Sequence, residues 1–142
     1  LRLGLQELRM SGEESERLAL ALMYLVAEAH ENGAARPNVH ALAARLGLPG
    51  VAVSRAAEAL EAAGLLVTTE DEHLLPGRGL DTIRVADVLT VARRHVSGLP
   101  HAASAAPEPV EVLCRELEAA WRGVCGERTL RQMLDEGAGR AR

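Results

Sequence analysis

The sequence predicts a mainly α protein: a winged helix-turn-helix with one short β-hairpin and a C-terminal helical extension. Three observations carry this. The stretches "VHALAARL" and "VAVSRAAEALEAA" are both helical in pattern and flank the turn "GLPG", the arrangement of a helix-turn-helix. Two short apolar runs, "LLVTT" and "HLLP", then follow on either side of the polar tip "EDE", which is how a hairpin reads. Longer stretches of helical periodicity lie before and after this unit.

Each element has its own signals. Ser11 and Glu14 form an S-x-x-E capping box, so a helix starts there. It runs to about Asn32, with Gly33 as its stop. Leu18, Leu22, Leu25 and Ala29 recur at helical spacing and form its expected core face. Leu20 and Met23 widen that face. Asn38 is the next N-cap, and Gly47 ends the short helix behind it. Pro49 suits the start of the second helix of the pair, and Gly64 ends that one. The hairpin comes next, and Gly77 and Gly79 break the chain after it. "TIRVADVLTVARRHV" is a further helix, with Val85, Val88, Leu89 and Ala92 on one face. "SGLPHAASAAPEP" is a small-residue linker. "PVEVLCRELEAAWRGVC" is a long amphipathic helix carrying Val112, Leu113, Leu117, Ala120, Trp121 and Val124. Thr129 and Gln132 make a second capping box for a short last helix, and the tail "EGAGRAR" is expected to fray. The expected organisation is a linker over 1–10, a winged-helix domain over 11–97, a linker over 98–109, and C-terminal dimerisation helices over 110–142.

Composition limits what this fold can do. The 142 residues suit one domain with an extension. Apolar residues make up 48% of them, with one Trp, one Tyr and no Phe, so the core must be built from Leu, Val and Ala. A net charge of −4 is not the usual footprint of a protein that neutralises many phosphates. Two cysteines do not make a disulfide framework, which fits a cytosolic setting. No signal peptide is visible, and the run "LALALMYLVA" is about half the ~20 residues that span a bilayer. The chain starts at Leu1, as expected of a fragment of a longer protein or of one whose start has been trimmed.

Two family resemblances attach to these residues. The stretch "VHALAARLGLPGVAVSRAAEALEAAGLL", then "IRVADVLTVAR", then "RTLRQMLDEG" resembles the IscR/NsrR-type winged-helix regulators over roughly residues 38 to 136. That resemblance implies DNA binding and a dimer formed through the long helix. The same helix-turn-helix stretch, taken with the front helix "ESERLALALMYLVAEAHENG", resembles the cytosolic C-terminal domain of YihY/BrkB-type (ribonuclease BN-like) membrane proteins over roughly residues 10 to 95. That resemblance implies an interaction domain held at the inner membrane by spans absent from this chain.

The candidate sites are few. For DNA, the recognition helix offers Ser54 and Arg55, with Arg45 on the helix before it. Over residues 38–76 these two arginines face five acids: Glu58, Glu61, Glu70, Asp71 and Glu72. Three of those acids occupy the tip of the wing, so the wing is expected to stay off phosphates. The regulators that hold an iron–sulfur cluster place three cysteines before the long helix, and this chain has none there. Cys114 and Cys125 are eleven apart, ~16 Å on a straight helix at 1.5 Å per residue. They can share neither a cluster nor a disulfide, and each reads as a small apolar residue. His30, His40, His73, His95 and His101 are scattered, with no metal-ligand spacing and no nucleophile–base set. The expectation is therefore no catalytic residue, no metal and no cofactor. The long helix is the expected self-association surface, through Leu113, Leu117 and Trp121, giving a homodimer. The sequence favours a non-catalytic cytosolic interaction domain of a YihY/BrkB-like membrane protein. The alternative is a cluster-free IscR/NsrR-type DNA-binding transcription regulator.

Overall fold

The computed structural model describes residues 10–97 and 106–141. Nearly all of the 1–10 linker, most of the 98–109 linker and His101 lie outside the described residues. Six α-helices and one hairpin follow in order: α1 Gly12–Glu31, α2 Val39–Leu46, α3 Gly50–Ala62, β1 Leu66–Thr68, β2 Leu74–Pro76, α4 Val85–Ser97, α5 Glu108–Cys125 and α6 Leu130–Ala141. A 3-10 turn, Leu80–Thr82, precedes α4. This is the winged helix that the sequence predicts.

Local chemistry accounts for the boundaries. The Ser11 hydroxyl accepts the Glu14 amide at 3.1 Å, satisfying one of the free N–H groups that open α1. The Asn38 side chain accepts the Ala41 amide at 2.8 Å and starts α2. Gly47 takes the left-handed conformation, at φ +66°, and ends α2, a turn that favours glycine. At α6 the second capping box closes in both directions. Gln132 N donates to the Thr129 hydroxyl, and Thr129 N donates to the Gln132 side-chain oxygen at 2.9 Å.

α1 is the centre of the molecule. Leu18, Leu22, Met23, Val26 and Ala27 are buried at 3% exposure or less. α4, α3, α6 and the second strand all pack on this helix. The face differs in part from the predicted one: Leu18, Leu22 and Met23 are buried as expected, while Leu25 and Ala29 are only half-buried and Val26 and Ala27 are buried in their place. A helix wrapped on several sides carries apolar residues nearly all round, so its periodicity does not single out one face. Leu60, Leu65, Leu66, Ile83 and Leu130 complete the main core.

The wing is a three-pair antiparallel ladder, Leu66 with Pro76, Val67 with Leu75, and Thr68 with Leu74. Its tip-side end is tied to the segment before α2, where the Leu74 amide donates to the Pro37 carbonyl at 2.8 Å. Gly77 passes so close to Gly64 that a Cβ there would overlap the Gly64 carbonyl. At the tip, Glu72 N donates to Thr69 O at 2.9 Å and Glu72 itself sits at φ +64°. A turn followed by one left-handed residue closes hairpins of this length.

The last helix extends further than its sequence suggests. The expected frayed tail is helical to Ala141. Gly137 lies against the Tyr24 hydroxyl, where a side chain would collide. α6 also shares the main core through Leu130 and Leu134. Its start is stitched to the strand-like segment before α4, with Val85 N donating to Arg128 O at 3.0 Å and Leu130 N to Ile83 O at 2.8 Å. Arg131 reaches both Glu31 at the end of α1 and Asp81 in the 3-10 turn.

Candidate nucleic-acid interface and long-helix surface

The second helix of the helix-turn-helix, α3, buries Ala52, Val53, Ala57 and Leu60 against the core, leaving the opposite face to solvent. That outer face divides along its length. Its first half presents Gly50, Val51, Ser54 and Arg55, with no carboxylate among them. Val51 is 51% exposed, Arg55 is exposed and Ser54 is half-buried. No side chain caps this end; Pro49 stands at the cap position. The second half carries Glu58 and Glu61, both exposed.

An open groove of about 580 Å³ lies between α3, the start of α2 and the wing, lined by Ser54, Glu58, Glu61, Asp71, Glu72 and His40 among others. Four carboxylates line it, and two of them have internal work. Glu61 accepts the Thr68 hydroxyl at 3.2 Å. Asp71 accepts the Thr69 hydroxyl, and that bond, with the Asp71 amide next in weight, holds its carboxyl below the usual aspartate value. Asp71 also lies 3.2 Å from His73 Nδ1. The pair does not reach hydrogen-bond geometry and leaves that nitrogen without a bond. Asp71 is thus part of what shapes the tip. Glu58, Glu70 and Glu72 make no ion pair among the described residues and face solvent.

The structure brings Ser54 and Arg55 together on α3 and places Arg45 apart from them. Arg45 is exposed at the far end of α2, where it borders a groove against α1 with Leu46 and Tyr24. The sequence reading missed Val51. Its signal was the Pro49–Gly50 start, which leaves the first helical turn open and uncapped.

The second surface is α5. Val110, Leu113, Leu117 and Val124 recur at helical spacing and are 47%, 54%, 59% and 84% exposed. Trp121 stands beside this stripe, half-buried, and packs with Cys125 against Val85 and Leu89 of α4. The Arg93 and Arg122 guanidiniums lie 4.7 and 5.3 Å from its ring centre, within cation–π reach. α5 therefore rests on the domain through its last two turns, and the stripe faces solvent. Cys114 is exposed and Cys125 buried, both as free thiols. Among the described residues no three His, Cys, Asp or Glu side chains converge as metal ligands. No described helix is long and apolar enough to cross a membrane.

No protein-family model matches the chain, and no curated protein matches it either. Solved structures do. The chain is similar to IscR of T. potens, with TM-score 0.65 and 18% identity over 91% of this chain and 88% of that one. It is also similar to CymR of B. subtilis, the global cysteine regulator of that organism, with TM-score 0.64 and 20% identity over 89% and 96%. The oxidized form of Staphylococcus aureus CymR gives TM-score 0.64 and 19% identity over 88% and 96%. These likenesses establish the winged-helix fold. They run through the C-terminal helices as well as the helix-turn-helix, and they give the YihY/BrkB reading no support. The apolar front helix that prompted that reading is accounted for by the domain's own core, in which Leu22, Met23 and Val26 are fully buried.

Proposed function

We propose that this chain is a homodimeric, cluster-free winged-helix protein that binds DNA as a transcription regulator, reversing the preference drawn from sequence. The observation that carries the reading is the first half of α3: exposed, uncapped and free of carboxylates, with Val51, Ser54 and Arg55 facing outward. In a helix-turn-helix these N-terminal residues of the second helix meet base edges. Arg55 suits the O6 and N7 acceptors of guanine, and Val51 suits a thymine methyl. Pro49 leaves the first N–H groups of α3 open to a phosphate oxygen. The acids that argue against DNA all lie in the second half of α3 or on the wing. The wing accordingly stays off the minor groove, and specificity comes from the major groove. The exposed α5 stripe supports pairing of two such helices, which sets two half-sites in register.

Few cations stand on this side of the fold: Arg55 is the one arginine of α3, and Arg36, three residues before α2, is also exposed. With Arg55 on a base edge, about two phosphate contacts per dimer, one arginine from each copy, give a slope of log affinity on log salt of roughly −2, shallow for a regulator. The test is retardation of random-sequence duplex at low salt and low micromolar protein, comparing the parent with Arg55→Glu. Retardation by the parent and its loss in the variant support the reading. Failure of the parent to retard any duplex removes it.

A further inference from the structure

We propose that the groove between α1, the end of α2 and α6 is a binding site for a small amphiphilic carboxylate, one charged head on an apolar body. The groove holds about 440 Å³, within the ~300–1,000 Å³ of small-molecule sites. Its floor is apolar: Leu20 and Leu25 of α1, Leu46 of α2 and Met133 of α6. Among the described residues its only charged lining residues are Arg17 and Arg45. The chain as a whole is acidic, with 20 acidic and 16 basic residues, and the groove below the wing has the opposite sign. Arg45 makes no ion pair among the described residues. Arg17 meets only Glu13, at 3.6 Å, with both side chains at least 80% exposed, a pairing that contributes little and leaves the guanidinium free to turn. An apolar floor bordered by two arginines matches a ligand with one planar carboxylate, which an arginine fork holds with two parallel bonds. A cation is repelled there, and a neutral apolar molecule leaves both arginines without a bond from the ligand.

The test is a titration of the whole chain with sodium octanoate below its micellar range, followed through the backbone amide shifts of Leu46 and Met133. Octanol and octylammonium serve as neutral and cationic counterparts. Saturable shifts at both residues are expected with octanoate. Octanol binds about tenfold or more weakly, the difference set by hydrogen bonds to a charged group, and octylammonium gives no saturation. The double variant R17Q/R45Q lowers octanoate affinity to that of octanol while its thermal unfolding stays unchanged, since both side chains are exposed. The proposal fails if octanol matches octanoate, if the double variant binds octanoate as the parent does, or if the shifts fall only on the α5 stripe. It also fails if Leu46 and Met133 shift on dilution without ligand, for then a second copy covers the groove. None of these outcomes depends on DNA binding.

Discussion

Leu117→Ala tests the α5 surface most sharply. Leu117 is 59% exposed in the protomer, so the protomer leaves more than half of its apolar surface in water. Full burial of a leucine is worth about 1.5–3 kcal/mol, so covering this residue in a dimer recovers about 1–1.5 kcal/mol. A twofold interface uses each residue twice. The substitution should therefore weaken the dimer by about 2–3 kcal/mol, roughly 30- to 150-fold in Kd. Alanine favours helix and removes no core contact, so protomer folding should hold. Sedimentation equilibrium over a wide concentration range reads the shift, with circular dichroism as the control for folding. A parent that stays monomeric at every concentration refutes the reasoning, as does a variant with unchanged dimer affinity.

Further predictions follow from the same geometry. Arg55→Ala should cost about 1–3 kcal/mol of affinity for a cognate duplex and relax the preference at one base, read by fluorescence anisotropy. Glu70→Gln with Glu72→Gln should leave that affinity within about twofold, under ~0.4 kcal/mol, because the proposed docking keeps the wing tip off phosphate. Gly77→Ala should cost about 3 kcal/mol, the upper end of overpacking penalties, in urea unfolding, since its Cβ meets the Gly64 carbonyl rather than a movable side chain. The Asp71 carboxyl is held below its ordinary 3.8 chiefly by the Thr69 hydroxyl. A folded value below the unfolded one means that its support of the hairpin is present above pH ~4 and is lost as pH falls through the folded value. A carboxyl titration by NMR should show that depression in the parent and a return toward 3.8 in Thr69→Val.

Much of the fold was legible because its signals are local. Asn38, Gly47 and Thr129 with Gln132 each act within a few residues, and each does in space what its spacing implies; Ser11 caps α1 through the Glu14 amide, without the return bond from the Glu14 side chain among the described residues. The α1 face was less legible. Leu25 and Val26 are both apolar, and which of them is buried depends on α4 and α6, which arrive much later in the chain. The tail was misread because its two glycines lower helix propensity, while Gly137 is needed for close approach to Tyr24. The wing is the most instructive case. Counting charge treats Asp71 and Glu70 alike, yet one is bonded into the turn and the other faces water. The count also averages over α3, hiding that its acids all lie in the second half. Arg45 and Arg55 look equivalent in sequence, and the turn of α2 sends Arg45 toward α1.

The most direct measurement is selection of duplexes bound by the whole chain from a random-sequence pool at low salt. The account predicts enrichment of an inverted repeat whose half-sites lie one helical turn, or a multiple of about 10 base pairs, apart. It also predicts that this enrichment disappears with Arg55→Ala. A pool that emerges without any shared sequence, or a repeat that survives that substitution, would contradict the claim that the first half of α3 is the reading surface.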